Sequence, residues 1–293
     1  MTRFTLLLVV TTVLGAIPSH SVSGFPFLRV GAGARASALA EATTAVVGEQ
    51  TGLVNPASLR ALRRSIHVGH TEWIGDIRHE AAAAVWPRAD GQSVALFAQL
   101  SHVDGLQRRT DPSVESLGSF GVYEWTAGGV WSRPLSPRWR VGAGLKYVRQ
   151  SIFTDAAAGA AADVGLLCRA GGWSVGASLN NAGRMSNLNR SATELPLQVR
   201  VGVSLVRKSV LLAADAHATK GSRLCFRVGG EWQSRKQLAL RLGYETSDTR
   251  SLAAGFGLIS GNWGMDYALV PFSLGLGEAH RVSLVWYGGA VTP

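Results

Sequence analysis

The chain has 293 residues, of which 46% are apolar and only 16% are charged, whereas soluble domains usually carry about 25% charged residues. The formal net charge is +10, but the basic residues are scattered singly, so nucleic acid is not an expected partner. Length allows one large domain or two, and the low charge argues against an ordinary soluble domain.

The N-terminus has the pattern of a secretory signal. Thr2-Arg3 is a short positive region, Phe4 to Ile17 is apolar, and Ser21-Val22-Ser23 supplies a small-x-small cleavage site. Residues 1–23 are therefore predicted to be a cleaved signal peptide. No later apolar run reaches the about 18 residues that a membrane-spanning helix needs, so the sequence predicts an exported protein without a helical anchor.

Residues 24–64 are the only mature segment without strand alternation. Gly31 to Glu49 is rich in alanine, which favours a helix. Asn55-Pro56 marks a turn that opens a second short helix. We interpret residues 24–64 as an N-terminal plug segment and residues 65–293 as a barrel around it.

From Ser65 onward, apolar and polar residues alternate with a period of two, which is typical of strands. The alternation predicts fourteen strands near 65–72, 78–86, 92–103, 120–132, 138–150, 159–169, 172–180, 196–206, 209–217, 222–233, 236–246, 250–259, 262–270 and 278–287. Most have the length that a tilted strand needs to cross a bilayer. The predicted fold is all-β: a 14-stranded antiparallel transmembrane β-barrel with a small N-terminal helical plug.

Alternation alone fits a soluble barrel equally well, and three features favour the membrane. Connections after odd strands tend to be longer than those after even strands, and the strand count is even. Aromatic residues recur at strand ends, as in an interfacial girdle: Trp86, Trp131, Trp139, Trp173, Trp263 and Trp286. In addition to these three features, many of the scattered basic residues fall at strand ends and tight turns, which suits contact with lipid headgroups: Arg88, Arg133, Arg138, Arg169, Arg207, Lys208, Arg235 and Lys236.

The polar face of the strands is predicted to face the lumen. Its charged residues are Arg140, Lys146, Asp163, Arg200, Asp215, Arg227, Glu231, Arg241, Asp266 and Arg281. Pairing among them is favoured over ligand binding, because an unpaired buried charge is costly. The same face carries ten glycines that leave room for the plug, which predicts a filled lumen: Gly142, Gly144, Gly165, Gly176, Gly202, Gly229, Gly243, Gly255, Gly257 and Gly264.

Three motif matches carry little weight. Gly31 to Ala36 fits a dinucleotide fingerprint without a βαβ unit after it. Gly172 to Gly176 fits G-x-S-x-G but lies within a strand. His79-Glu80 begins a zinc motif that Ala83 breaks. We therefore predict a non-enzymatic protein with no catalytic residues, no cofactor and no metal.

The segment from His70 to Glu80 and eight further motifs resemble the PorV/PorQ family of outer-membrane proteins, which is related to the FadL-type transporters. The motifs run along nearly the whole mature chain, at residues 33–40, 54–59, 144–148, 179–183, 195–202, 240–246, 265–272 and 280–284. The residues taken as the plug motif are Gly31, Gly33, Arg35, Asn55 and Pro56.

The resemblance implies a fourteen-stranded, plugged barrel in the bacterial outer membrane, in contact with outer-membrane lipid. It also implies a role in type IX secretion, with exported proteins or secretion-complex subunits as partners. The alternative is a FadL-like passive transporter of hydrophobic small molecules, which leave laterally through a gap in the wall. Such a gap is expected along the Gly-rich stretch from Gly255 to Gly264.

Overall fold

The computed structural model describes residues 25–29, 31, 33–111, 115–189, 191, 193–234, 237–247 and 249–290, so the predicted signal peptide lies outside the described residues. Fourteen antiparallel strands close into one barrel. They are β1 (Arg63–Glu72), β2 (Arg78–Pro87), β3 (Ser93–Gln107), β4 (Ser119–Pro134), β5 (Trp139–Ile152), β6 (Asp155–Ala170), β7 (Trp173–Met185), β8 (Gln198–Arg207), β9 (Val210–Thr219), β10 (Cys225–Gln233), β11 (Leu238–Glu245), β12 (Leu252–Ser260), β13 (Trp263–Pro271) and β14 (Glu278–Ala290).

The predicted fold class is confirmed. Each strand pairs with its sequence neighbours, and β1 pairs with β14 to close the ring, with Val68 opposite Leu284. The alternation is also visible in burial: along β5, Trp139, Leu145 and Tyr147 are exposed while Arg140 and Lys146 are buried. Residues with one parity therefore point into the lumen and the others point outward.

The two ends of the barrel differ in their connections. One end, here called the turn side, carries the connections after β2, β4, β6, β8, β10 and β12, together with the start of β1 and the end of β14. Gly171 and Gly261 begin two of its two-residue turns with φ of 61° and 57°, which glycine adopts without strain. The other end, the loop side, carries longer loops at 108–118 and 186–197. One connection departs from the predicted alternation: β5 and β6 are joined on the loop side by only Phe153 and Thr154.

The tryptophans and the tyrosines of the aromatic girdle are concentrated toward opposite ends of the barrel. The six tryptophans named from the sequence all lie toward the turn side of their strands, and Trp232 on β10 joins them. Tyr123, Tyr147 and Tyr244 lie toward the loop side and are exposed on the outer wall. The turn side also carries the predicted basic residues, except Arg235 and Lys236, which lie outside the described residues.

The N-terminal segment runs through the lumen from the loop side to the turn side. Phe25 and Phe27 pack against Val148 and Leu195 toward the loop side. A short helix of five residues, α1 (Ala34–Ala38), lies against β11 to β14. At the turn side, Leu59 packs against wall residues Val85, Ala95, Phe97 and Val130.

The predicted helix over Gly31 to Glu49 is wrong beyond α1. Ala40 and Glu41 have φ of 50° and 62°, so the helix ends and the chain turns along the wall. After Asn55, one 3-10 turn forms over Pro56–Ser58, with the Asn55 side chain accepting a hydrogen bond from the Ala57 amide. No helix within the described ranges is long and apolar enough to cross a membrane.

Candidate functional site: the plugged lumen and its cavities

All ten charged residues selected from the sequence point into the lumen, and each is at most 9% exposed. Because they come from eight strands, they surround the N-terminal segment on several sides. Their partners are partly on neighbouring strands and partly on the plug.

Three of these charges and Arg35 of the plug form one connected ion-pair chain. Arg35 on α1 donates from Nε and Nη2 to the two Glu231 carboxylate oxygens, at 2.8 and 2.9 Å. Arg241 donates to Glu231 at 2.6 Å and to Asp266 at 2.6 Å. Burial lowers the pKa of Arg35, but the Glu231 carboxylate more than offsets this and holds that pKa above its usual value. The chain ties α1 to β10, β11 and β13 through charge-assisted hydrogen bonds.

A second cluster surrounds Glu41 of the plug. Arg281 Nη1 lies 3.6 Å from Glu41 Oε1, donates to the Gly31 carbonyl at 2.8 Å and also donates to Ser37 Oγ. Arg200 donates to the Glu41 carbonyl at 2.7 Å. Burial raises the pKa of Glu41, but the charges of Arg281, Arg227 and Arg200 outweigh it and lower that pKa overall. The Glu41 carboxylate is therefore held as an anion between wall arginines.

Wall pairs complete the lining. Lys146 Nζ contacts both Asp163 oxygens, at 2.9 and 2.7 Å, and the Asn181 amide donates to Asp163 where β6 and β7 change register. Arg227 donates to Glu245 at 2.9 Å. Arg200 approaches Asp215 at 3.7 Å.

Besides Arg200 and Arg281, two further lumen charges contact the plug backbone or its hydroxyls. Asp215 accepts hydrogen bonds from the amide and hydroxyl of Thr44. Arg140 donates to the carbonyls of Leu59 and Gly91, at 3.0 and 3.1 Å. These contacts fix the middle and the end of the plug segment to the wall.

The five plug-motif residues occupy two separate places. Gly31, Gly33 and Arg35 lie at the start of α1, where the Gly33 carbonyl accepts from Ser37 and Arg35 binds Glu231. Asn55 and Pro56 lie against β4 to β7 and are buried. Asn55 donates to the Thr44 carbonyl at 2.8 Å, so it holds two turns of the plug together.

Lumen glycines give the plug its space. A Cβ at Gly142, Gly176 or Gly243 would collide with the plug backbone, and one at Gly255 would collide with Ala38. Gly165 faces the Asn55 side chain and Gly229 faces Leu39 in the same way. Gly144 and Gly264 differ, because a Cβ there would make ordinary contacts with wall atoms.

A large cavity opens above the plug on the loop side, and we call it the vestibule. Its volume is about 890 Å³, within the range typical of small-molecule sites. Phe27, Trp73 and Phe272 supply aromatic surface. The polar lining includes Arg29, Arg227, Arg250, His79, His217, Glu124 and Glu245.

The vestibule floor is rich in arginine. Arg227 and Arg250 both donate to Glu245, while Arg29 hydrogen-bonds to Ser222. Burial and the nearby charges of Arg250 and Arg227 lower the pKa of Arg29. Among the described residues, Glu245 is thus shared by two arginines, and a third lies close to them.

Two smaller cavities continue below the vestibule. A cavity of about 40 Å³ shares Arg29 with the vestibule and is lined by Leu53, Phe97 and Gln99. A mainly apolar cavity of about 50 Å³ shares these last three residues and extends between the plug and strands β1 to β4. Its wall includes five small residues, Gly69, Ala81, Ala82, Ala83 and Ala95.

The wall expected to be open is closed. Along the stretch from Gly255 to Gly264, β12 and β13 pair without a break, with Gly255 opposite Ala268 and Ile259 opposite Gly264. The glycines there accommodate Ala38 of the plug and the Arg241–Asp266 pair. The apolar cavity lies instead behind β1 and β2, on another part of the ring.

Sequence reasoning missed several lining residues. Phe97 and Gln99 lie on the face of β3 that points into the lumen, so the alternation of the sequence could have identified them. Trp73, Arg29 and Arg250 lie outside the strands, where alternation gives no signal. Within the described residues, no cluster of three histidine, cysteine or acidic side chains has the geometry to hold a metal ion.

No protein-family model and no curated protein matches the sequence. Solved structures do share the fold. The chain is similar to the CymD monoaromatic hydrocarbon channel, with a TM-score of 0.69 at 12% identity over 88% of this chain and 98% of that one. It is also similar to the Pseudomonas putida toluene transporter TodX, with a TM-score of 0.65 at 12% identity over 89% of this chain and 99% of that one. For a Pseudomonas aeruginosa FadL homologue the TM-score is 0.61 at 11% identity, over 88% of this chain and 98% of that one. At this identity the likeness shows a common barrel fold.

Proposed function

We propose that the protein is a non-enzymatic outer-membrane channel for the passive uptake of hydrophobic small molecules. The observation that carries the proposal is the series of three cavities that leads from the vestibule, past Leu53 and Phe97, to the apolar space behind β1 and β2. The similar barrels include channels for monoaromatic hydrocarbons and a toluene transporter. A secretion role is not carried forward, because no similar protein supports it.

The proposed route begins at the loop side, which faces outward, and ends in the wall rather than at the turn side. The turn side is filled by the Leu59 cluster and by the contacts of Arg140. The apolar cavity touches inward-facing Gly69 and Ala81 and also outward-facing Val68 and Ala82. Pairing between β1 and β2 is continuous, so passage there requires the two strands to separate.

The aromatic and the basic side chains of the vestibule both affect which molecules enter. Aromatic side chains at Phe27, Trp73 and Phe272 favour flat apolar rings. The arginines of the floor favour molecules that carry a hydrogen-bond acceptor.

Uptake of radiolabelled toluene by cells that express the protein tests the proposal. Ala83→Phe places a ring in the apolar cavity behind β2. Because the ring blocks the proposed path, we expect the initial uptake rate to fall about tenfold, which corresponds to a barrier to passage higher by about 1.4 kcal/mol. Ala98→Phe on the outer face of β3 is the matched control and should leave uptake unchanged. A heat-modifiable band in gels verifies that both variants fold. Equal uptake by both variants would refute the proposed route.

A further inference from the structure

The apolar band on the outside of the barrel is not equally tall around the ring. On β5, five successive outward positions are apolar, from Trp139 to Tyr147. On β2, only Trp86, Ala84 and Ala82 precede the outward-facing Glu80. Outward positions on one strand are two residues apart, which corresponds to about 5 Å of height for a strand with a rise of about 3.3 Å and a tilt of about 40°.

The short band extends over three neighbouring strands. On β14, His280 follows Trp286, Leu284 and Val282, and on β1, His70 follows Ile66 and Val68. We call β14, β1 and β2 the seam. Counted from the tryptophans, the apolar band at the seam ends about 10 Å lower than on β5, whereas a bilayer-matched band is about 25 Å tall.

The polar residues above the short band are paired with one another on the outer surface. His70 Nδ1 lies 2.7 Å from Glu80 Oε1, and His280 Nε2 lies 3.2 Å from Glu278 Oε1. On the adjoining strand β3, His102 Nδ1 lies 3.1 Å from Asp104 Oδ2. Both members of the first pair are more than 40% exposed. Charged and hydrogen-bonding side chains at this level cannot be solvated by acyl chains.

We propose that the seam binds lipid headgroups deeper than the rest of the wall does, so that the outer leaflet is locally thinned there. The partner is the polar headgroup layer of the bilayer itself. A shorter apolar surface makes the bilayer thin around it. The seam is short on three contiguous strands, whereas β4 and β5, which lie two and three strands beyond β2, are tall. The inference rests on the proposed membrane location and not on transport.

The thinned region coincides with the small-residue wall. Gly69 on β1 pairs with Ala81 on β2, and both line the apolar cavity inside. Headgroups at the seam would therefore lie just above the part of the wall that separates that cavity from lipid.

Two alanines give a matched pair of probe sites. Ala82 on β2 and Ala143 on β5 both point outward. Each lies four residues, or two outward positions, from a tryptophan on the same strand, Trp86 and Trp139 respectively. Each is changed to cysteine in a background with Cys168→Ala and Cys225→Ala, labelled with the polarity-sensitive dye NBD, and reconstituted in dioleoylphosphatidylcholine vesicles. The proposal predicts red-shifted emission and strong quenching by aqueous cobalt at Ala82→Cys, and blue-shifted emission with weak quenching at Ala143→Cys.

A second variant tests the cause. Adding His70→Leu and Glu80→Leu to the Ala82→Cys protein should shift its emission to the blue, toward that of Ala143→Cys. Identical apolar spectra at both sites would overturn the proposal. Polar spectra at both sites would instead show that the barrel is not embedded as proposed, which separates this failure from a failure of the inference.

Discussion

Gly243 shows how closely the plug and the wall approach each other. Its Cβ position is occupied by the backbone of Leu39 and Ala40, so no side chain fits without moving the plug. Backbone atoms cannot rotate away as the end of a long side chain can. The inward glycines that face the plug are therefore a consequence of the filled lumen.

Gly243→Ala is expected to destabilise the docked plug by about 1–3 kcal/mol, the usual cost of overpacking. The matched control is Gly264→Ala, because a Cβ there makes only ordinary contacts with Tyr287 and Val285. The midpoint of heat-induced unfolding, followed by gel mobility, should fall for Gly243→Ala alone. Equal midpoints would show that the plug has room to shift.

Glu41 is a plug carboxylate whose charge depends on the arginines around it. Its pKa is lowered in the folded protein from an ordinary value of 4.5. A carboxylate with a lowered folded pKa stabilises the fold above its unfolded pKa, and this stabilisation is lost as pH falls through the folded pKa. Docking of the plug should therefore weaken below about pH 4.5.

Protease cleavage of the plug in detergent, measured between pH 7 and pH 3 with an acid-tolerant protease, checks this expectation. The native protein should be cleaved faster as the pH falls below the ordinary pKa of Glu41. Glu41→Gln removes the titrating group beside Arg281 and should reduce the pH dependence while raising cleavage at neutral pH. An unchanged pH profile in the variant would mean that other groups control docking.

At the scale of elements, the strands could be predicted, whereas the backbone conformation of the plug could not. The period of two is a local signal, and it located fourteen strands because each strand meets lumen on one side and an apolar environment on the other. The alanines of residues 31–49 also predict a helix locally. In the protein, that preference is overridden at Ala40 and Glu41, whose left-handed backbone turns Glu41 toward Arg281.

The lumen was only partly predictable for the same reason. Parity identifies which charges point inward, but a partner such as Glu41 for Arg281 lies 240 residues away in the chain, beyond any local pattern. The cavities depend on where the plug leaves space, so their lining residues Leu53 and Phe97 follow from packing rather than from spacing. The expected gap near Gly255 failed because glycine also serves close packing against Ala38.

For the molecule as a whole, the filled lumen predicts little ion conduction. The plug is held by the Arg35–Glu231 and Arg281–Glu41 pairs, and the remaining cavities are narrow below the vestibule. In planar bilayers the native protein should show no large steady conductance. Arg281→Met leaves Glu41 without its nearest cation, and breaking such a buried pair costs about 3–5 kcal/mol.

The Arg281→Met protein should therefore show frequent channel openings that the native protein lacks. Arg138→Met, which changes an exposed residue on the turn side, is the control and should remain closed. A large constant conductance from the native protein would contradict the filled lumen.

The path of the N-terminal segment also constrains the order of assembly. Phe25 lies toward the loop side inside the ring, while β1 starts at the turn side after the segment has crossed the lumen. The pairing of β1 with β14 joins residues more than two hundred positions apart, and such distant contacts form late because their loop closure is entropically costly. We therefore expect the N-terminal segment to pack against β5 to β13 while the sheet is still open. Strand β1, which follows this segment in the chain, then pairs with β14 and closes the barrel around it.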